Sequence, residues 1–220
     1  KMAKIGLENV ELIQTKGHPI VYGDWLHAPN APTLLIYGHY DVQPEDPVDL
    51  WESPPFEPSI RDGFIYARGA SDNKGQFYCH LKSIEYLLKE QGKLPVNLRF
   101  IIEGEEEIGS PHLRPFLEEN KDRLSADIAL ISDTPMFGHE HPSICTSLRG
   151  LVYFKLQLRT AHTDAHSGQH GGCCPNAIQE MSRLLAKLKT DDGKIAIPGL
   201  YDDVQVLSDT ERQAIHALPF

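Results

Sequence analysis

An imidazole and a carboxylate stand directly after the first strongly apolar run of the sequence, at His39 and Asp41. Neutral imidazole is the commonest transition-metal ligand in proteins, and a neighbouring carboxylate can fix the orientation of the ring. A histidine and an aspartate at this spacing are more often structural than metal-binding. The pair therefore predicts part of a metal centre only if further carboxylates lie near it.

Two single aspartates lie in a turn or at the end of an apolar run, as His39 and Asp41 do. Asp72 lies in a turn of small residues between Arg68 and Gly75, and Asp133 comes at the end of another apolar run. The ordinary role of a lone aspartate at such a position is to form a turn or to cap a helix. The alternative is that tight backbone places each carboxylate at the mouth of a site.

Three consecutive carboxylates, Glu105, Glu106 and Glu107, follow the apolar run 96–102. A run of charges is usually a solvated loop. At the end of a buried strand, however, like charges this close cannot all stay ionised cheaply without a cation nearby. Metal binding relieves their repulsion and leaves one carboxylate free to act as a general base.

The segments that carry these residues alternate between strand and helix patterns. Apolar runs at 33–37, 96–102 and 126–132 predict buried strands, and the segments 75–91 and 111–120 predict helices. This order favours an α/β domain with a mostly parallel sheet flanked by helices. Because ligands bind beyond the carboxyl ends of such strands, we expect the four acidic or imidazole features to converge on one site.

Residues 148–160 differ in character, because polar and apolar side chains alternate there. A period of two predicts a half-solvated strand of an antiparallel sheet, and Pro175 begins a predicted helix behind it. We place a domain boundary near Ser147. The predicted catalytic domain spans 1–146, and a smaller, incomplete α+β domain for dimerisation or lid closure spans 147–220.

Taken together, the motifs resemble the metallopeptidase family that includes cytosolic dipeptidases, carnosinases, aminoacylase, acetylornithine deacetylase and succinyl-diaminopimelate desuccinylase. Carnosinase-like dipeptidases are the most similar members, because they share Asp41-Val42-Gln43-Pro44 and the regions 51–56 and 198–204. The motifs that carry the resemblance are Tyr37-Gly38-His39-Tyr40-Asp41-Val42-Gln43-Pro44, Gly69-Ala70-Ser71-Asp72-Asn73-Lys74-Gly75, Glu103-Gly104-Glu105-Glu106-Glu107-Ile108-Gly109-Ser110, Ser132-Asp133 and Ala165-His166-Ser167-Gly168.

The resemblance implies two Zn²⁺ ions in the complete active site, with Mn²⁺ or Co²⁺ as substitutes. In such a site, His39 and Asp133 would bind one ion, Asp72 would bridge both, and Glu107 would bind the second. Family members are considerably longer, and a further zinc-binding histidine and the residues that grip the substrate lie beyond Phe220. We therefore expect the 220-residue chain to be poorly active by itself.

The resemblance also implies the catalytic residues. Glu106 would be the general base, and Asp41 would orient His39. His166 would reach the active site of the partner subunit in a homodimer and help to stabilise the oxyanion. The implied reaction is hydrolysis of dipeptides, or removal of a C-terminal amino acid, by metal-activated water.

Two other functions use the same residues or the same fold. An N-acyl-amino-acid deacylase, of the acetylornithine deacetylase or desuccinylase type, would use the same two-metal core on a different amide. A non-catalytic binding protein would need only the shape. The presence of Glu106 beside a full set of ligands argues against the binding protein, which has no use for an unpaired base.

Composition excludes other classes of protein. Lys and Arg number 21 against 31 Asp and Glu, and the net charge of −10 offers no basic surface for nucleic acid. No apolar run approaches the ~18 residues that cross a bilayer, so we expect a soluble, cytoplasmic protein that does not bind membranes. The four cysteines lack Cys-x-x-Cys spacing, which indicates reduced thiols.

Overall fold

The computed structural model describes residues 1–138, 140–141, 143–145 and 148–218 of the 220-residue chain. The chain divides into two compact units, Lys1–Ser147 and Leu148–Phe220. Within the described residues, no helix is long and apolar enough to cross a lipid bilayer.

The first unit is built on a five-stranded sheet. The strands described in this unit are β1 (Glu8–Ile13), β2 (Ile20–Trp25), β3 (Thr33–His39), β4 (Ser59–Arg61), β5 (Phe64–Tyr66), β6 (Asn97–Glu103) and β7 (Ile128–Ile131). Five of them pair in the order β1-β2-β6-β3-β7, while β4 and β5 form a separate antiparallel hairpin. The predicted α/β sheet is confirmed, and the runs predicted as strands became β3, β6 and β7.

The sheet is mixed, whereas the sequence predicted a mostly parallel one. β3 runs parallel to both of its neighbours, β6 and β7, but β2 is antiparallel to both β6 and β1. For the β1–β2 pair the reason lies in the connection at 14–19, which is too short for the crossover of a dozen or more residues that parallel neighbours require. The parallel half still brings three carboxyl ends to one edge, where His39 lies opposite Glu103.

One face of the sheet is covered by α1 (Lys74–Gln91). Its buried residues Leu81 and Ile84 pack into the same cluster as Phe100 of β6. Full burial of an aliphatic or aromatic side chain of this size stabilises the fold by roughly 1.5–3 kcal/mol. The helix ends at Gly92, whose φ of 67° lies in the left-handed region that favours glycine.

The opposite face is covered by α2 (Leu113–Glu119). Phe116 of this helix is buried in a second cluster with Ile101 and Tyr22. Phe100 and Ile101 are consecutive in β6, and consecutive side chains of a strand point to opposite faces. The sheet therefore lies between the two helices, which leaves its carboxyl edge free to form a site.

The second unit is described by its helices and their caps. These helices are α3 (Ser167–His170), α4 (Ala177–Ala186) and α5 (Asp209–His216). The Asn176 side chain accepts hydrogen bonds at the start of α4, and Ser208 forms a reciprocal capping pair with Glu211 at the start of α5. The helix expected after Pro175 corresponds to α4, whereas α5 was not anticipated.

The prediction of a strand at 148–160 is wrong, because these residues form no strand. Alternation of polar and apolar residues indicates which side chains would share a face, but a strand also needs hydrogen bonds to a partner. In the part of the second unit that the structure describes, the one β bridge joins Lys189 to Ile195. The antiparallel sheet predicted for this unit is therefore not formed by the described residues.

Candidate metal centre

His39 lies at the carboxyl edge of the sheet, as the last residue of β3, and its side chain is fully buried. The neighbouring strand β6 ends in Glu103, and the chain beyond β7 leads to Asp133. A third arm comes from Asp72, in the turn that precedes α1. The ends of two neighbouring parallel strands and one turn therefore surround the imidazole ring.

The Nε2 atom of His39 faces carboxylates from separate parts of the chain. It lies 3.0 Å from Oδ1 of Asp72 and 3.4 Å from Oδ2 of Asp133, with Oε2 of Glu106 at 3.9 Å. Candidate ligand atoms of His39, Asp72 and Asp133 all lie within 4.8 Å of one another, and so do those of His39, Glu106 and Glu107. The structure thus brings together around His39 the residues that the resemblance implied as metal ligands or general base.

Asp41 ties the imidazole to the acidic loop. One of its carboxylate oxygens lies 3.3 Å from Nδ1 of His39, on the opposite side of the ring from the cluster at Nε2. The same carboxylate accepts hydrogen bonds from the backbone N–H groups of Glu106, at 3.2 Å, and Glu107, at 2.9 Å. These N–H groups begin the 3₁₀ turn Glu106–Ile108, where a negative charge is favourable. Asp41 therefore contacts the loop as well as the ring.

Glu107 is held by Gln43, a contact that the sequence patterns did not suggest. The Gln43 side chain donates to Oε2 of Glu107 at 2.7 Å, and its backbone N–H donates to Oε1 at 3.2 Å. The signal in the sequence was the Asp41-Val42-Gln43-Pro44 motif, which places a glutamine two residues after the orienting aspartate. Both oxygens of Glu107 are therefore fixed by one residue.

Crowded carboxylates set the electrostatics around His39. Burial lowers the pKa of His39, but Asp133, Glu106, Asp41 and Asp72 together outweigh burial and raise it. Burial raises the pKa of Glu106; His39 opposes this rise and Asp133 adds to it. Burial likewise raises the pKa of Asp133, again opposed by His39 and reinforced by Asp72. The whole cluster consequently favours the uptake of a cation, either a proton or a metal ion.

The acidic run does not act as one cluster. Glu105 turns away from His39, accepting a hydrogen bond from Nδ1 of His112 at 2.8 Å and one from the backbone N–H of His18 at 3.2 Å. Glu105 is only 5% exposed, and a Cβ atom at Gly17 would come within 1.9 Å of its Oε1 atom. Glu105 therefore anchors the loop to neighbouring segments, which leaves the two following glutamates facing the site.

Replacing Glu105 by glutamine is expected to destabilise the fold at neutral pH and to matter little in acid. The hydrogen bond from His112 holds the pKa of Glu105 below its ordinary value of 4.5. Because this pKa is lower in the folded state, ionised Glu105 stabilises the fold fully above pH 4.5, and the contribution is lost as the pH falls through the folded-state pKa. Urea unfolding of Glu105→Gln and wild type should show a gap in midpoint near neutral pH that narrows as the pH falls below 4.5.

A gap of the same size at both pH values would contradict this role for Glu105. The matched control is Glu119→Gln, since Glu119 is exposed on α2. That variant should unfold like the wild type at both pH values.

His166 belongs to the second unit and lies at the start of α3. Its backbone is extended, and its Nδ1 atom accepts a hydrogen bond from the backbone N–H of Gly168 at 3.0 Å. Residues 167–170 form a single helical turn despite the glycine at 168. One turn can form because it needs only a few local hydrogen bonds, and it ends at Gly171.

Comparison with known proteins gives a consistent result for most of the chain. Residues 35–212 match the family model described as peptidase family M20/M25/M40. The chain is 35% identical over 202 residues to the human Beta-Ala-His dipeptidase and 37% identical over 197 residues to a Cys-Gly metallodipeptidase of Schizosaccharomyces pombe. These alignments cover 91% and 88% of the chain, and 40% and 41% of the relatives. The chain thus spans about two fifths of the length of these relatives.

Solved structures show the same similarity. A metallo-carboxypeptidase of the M20 family from Sulfolobus solfataricus superposes with a TM-score of 0.79 at 36% identity. The structure of human carnosine dipeptidase 1 superposes with a TM-score of 0.67 at 30% identity. In both cases the match covers 100% of this chain and 49% or 48% of the other chain.

Proposed function

The chain belongs to peptidase family M20/M25/M40, and from that premise we propose that the full-length protein is a two-zinc metallodipeptidase with Glu106 as its general base. The observation that carries the proposal is that carboxylates from four segments of the chain surround one buried imidazole, His39. The naming of two relatives as dipeptidases supports a dipeptide as substrate.

The residues present fit a metal ion at the first position. One imidazole nitrogen and two carboxylate oxygens, from His39, Asp72 and Asp133, lie close enough together to share one ion. Zn²⁺ prefers nitrogen and oxygen ligands of this kind and often leaves a fourth position for water in catalytic sites. Manganese or cobalt would suit the same ligands.

The chain also supplies ligands for a second ion in this proposal. Asp72 is 65% exposed at its side chain, so one of its oxygens remains accessible while the other lies beside His39. Glu107 would be the other ligand, and Gln43 already fixes its two oxygens. Asp72 would thus bridge the two ions.

The chain's own residues account for orientation and proton transfer. Bound metal ions supply Lewis acidity, which lowers the pKa of water and polarises the scissile carbonyl. Glu106 takes a proton from the attacking water and delivers it to the departing amine, a role that its raised pKa favours. Asp41 keeps both the His39 ring and the Glu106 backbone in place throughout. His166 of a partner subunit would donate a hydrogen bond to the developing oxyanion.

The proposal extends to assembly and location. A homodimer is needed if His166 acts across subunits, because the site would then be incomplete in a monomer. We place the protein in the cytoplasm, with no membrane or nucleic-acid partner.

The direct test is metal content together with substrate preference of the full-length protein. Elemental analysis should find two zinc ions per active site, and chelation should abolish activity that added zinc restores. Dipeptides should be cleaved faster than N-acetyl or N-succinyl amino acids. Faster cleavage of the acylated amino acids would make the protein a deacylase instead, and tight zinc binding without hydrolysis of either class would make it a binding protein.

A further inference from the structure

Asn73 is a fully buried polar residue at the centre of the candidate metal centre, with 1% of its surface exposed. We propose that Asn73 is a positioning residue that sets the geometry of His39, Asp72 and Asp133 for the first metal ion. The inference rests on the proposed function, because it assigns these three residues as ligands. Asn73 itself would not touch the ion.

The Asn73 amide joins three elements by hydrogen bonds. Its Oδ1 atom accepts from the backbone N–H of His39 at 3.1 Å, at the end of β3. Its Nδ2 atom donates to Oδ1 of Asp133 at 3.1 Å and to the carbonyl oxygen of Ser132 at 3.2 Å, beyond the end of β7. The same Nδ2 atom donates to Oε1 of Gln76 at 2.9 Å, in the first turn of α1. One side chain therefore spans the two strand ends and the helix start.

The chemistry of these partners requires an amide. The backbone N–H of His39 can only donate and the carbonyl of Ser132 can only accept, so the orientation of the amide is fixed by its neighbours. An aspartate would lack the donor and an aliphatic residue would lack both groups. A buried polar group left without its partner is destabilising, which keeps the Asn73 side chain in this position.

The bond to Asp133 controls which of its oxygens faces the site. Asn73 holds Oδ1, while Oδ2 lies 3.4 Å from Nε2 of His39. Asp133 therefore presents a defined oxygen towards the cluster. Without the amide, the carboxylate could rotate and exchange the two atoms.

Asn73 also constrains the other two ligands through the backbone. Asp72 immediately precedes it, so anchoring Asn73 fixes the point from which the Asp72 carboxylate reaches His39, at 3.0 Å. On the other side, a Cβ atom at Gly38 would come within 2.9 Å of Oδ1 of Asn73 and of Cδ1 of Phe77. The glycine before His39 thus gives the Asn73 amide room to reach the backbone of β3.

Titration of the 220-residue chain with Co²⁺ tests this inference, because visible absorption of bound Co²⁺ reports the geometry of its ligands. The variants are Asn73→Ala and the milder Asn73→Ser, whose hydroxyl is too short to reach both His39 and Asp133. Gln76→Ala is the matched control, since it removes a partner of Asn73 but none of its contacts to the ligands. Urea unfolding of the metal-free proteins measures any change in fold stability separately.

Both Asn73 variants should bind Co²⁺ about 10- to 100-fold more weakly than the wild type, which is the usual effect of removing a group that orients metal ligands. Their absorption at saturating Co²⁺ should also change, while Gln76→Ala keeps the wild-type affinity and spectrum. Wild-type affinity and spectrum in the Asn73 variants, with only a lower unfolding midpoint, would overturn the inference and leave the proposed function standing. A wild-type chain that binds no Co²⁺ would overturn the proposed function and this inference with it.

Discussion

Replacing Glu106 by glutamine in the full-length protein is expected to leave the metal ions bound and to lower kcat for dipeptide hydrolysis by ~100- to 10,000-fold, the usual contribution of a general acid or base. Glutamine keeps the size and polarity of the side chain but cannot take up a proton from water. Steady-state kinetics with a dipeptide, together with elemental analysis of the purified variant, measure the two effects separately.

The geometry around Glu106 supports a base more than a ligand. Its Oε2 atom lies 3.9 Å from Nε2 of His39, whereas the corresponding oxygen of Asp72 lies at 3.0 Å. The Glu106 side chain is 39% exposed, so it can reach a substrate at the edge of the sheet. Burial and the neighbouring Asp133 raise its pKa against the opposing effect of His39, which brings it nearer to the neutral range where a base is most effective.

Two outcomes would contradict the role of Glu106. Normal turnover by Glu106→Gln would remove the base assignment. Loss of metal from the variant would make Glu106 a ligand, in the group that it forms with His39 and Glu107. Glu119→Gln is the control for the same substitution at an exposed position, and it should match the wild type in both measurements.

The carboxyl edge of the sheet could be predicted from sequence because strand periodicity is a local signal. Apolar runs ending at His39 and before Asp133 set the strand ends, and parallel pairing then brings those ends to one edge. The joint placement of acidic residues at several strand ends was therefore more informative than any one of them. Strand periodicity alone did not indicate which carboxylate would turn towards the imidazole, since Glu105 and Glu106 are neighbours with opposite environments; only the family resemblance singled out Glu106.

The features of the site and of the sheet that were not predicted depend on contacts between distant segments. Asn73 and Gln43 are ordinary turn residues in sequence, and their importance follows from hydrogen bonds to partners 34 to 64 positions away. The strands β1 and β2 were not anticipated because short mixed segments carry little periodicity, and they made the sheet mixed. For residues 148–160 the error was the reverse: clear alternation predicted a strand, but no partner strand exists among the described residues.

Adding Zn²⁺ to the 220-residue chain at about 100 times its dissociation constant is expected to stabilise the fold by ~2.7 kcal/mol. At about 2–4 °C per kcal/mol for a domain of this size, the midpoint of thermal unfolding should rise by roughly 5–11 °C. The physical reason is the crowding of Asp41, Asp72, Glu106 and Asp133 around His39, which a divalent cation relieves in the folded state alone. Circular dichroism melts with and without zinc measure the shift.

His39→Ala should abolish that zinc-dependent rise, because it removes the nitrogen ligand around which the carboxylates gather. The variant will also unfold at a lower temperature without zinc, since His39 is fully buried, so the shift rather than the midpoint is the relevant quantity. His27→Ala is the matched control, because His27 is exposed and pairs with Glu8 away from the cluster. If zinc still raises the unfolding midpoint of His39→Ala, the ion binds elsewhere. If zinc does not raise the midpoint of the wild type, protons rather than a metal ion relieve the repulsion among the carboxylates.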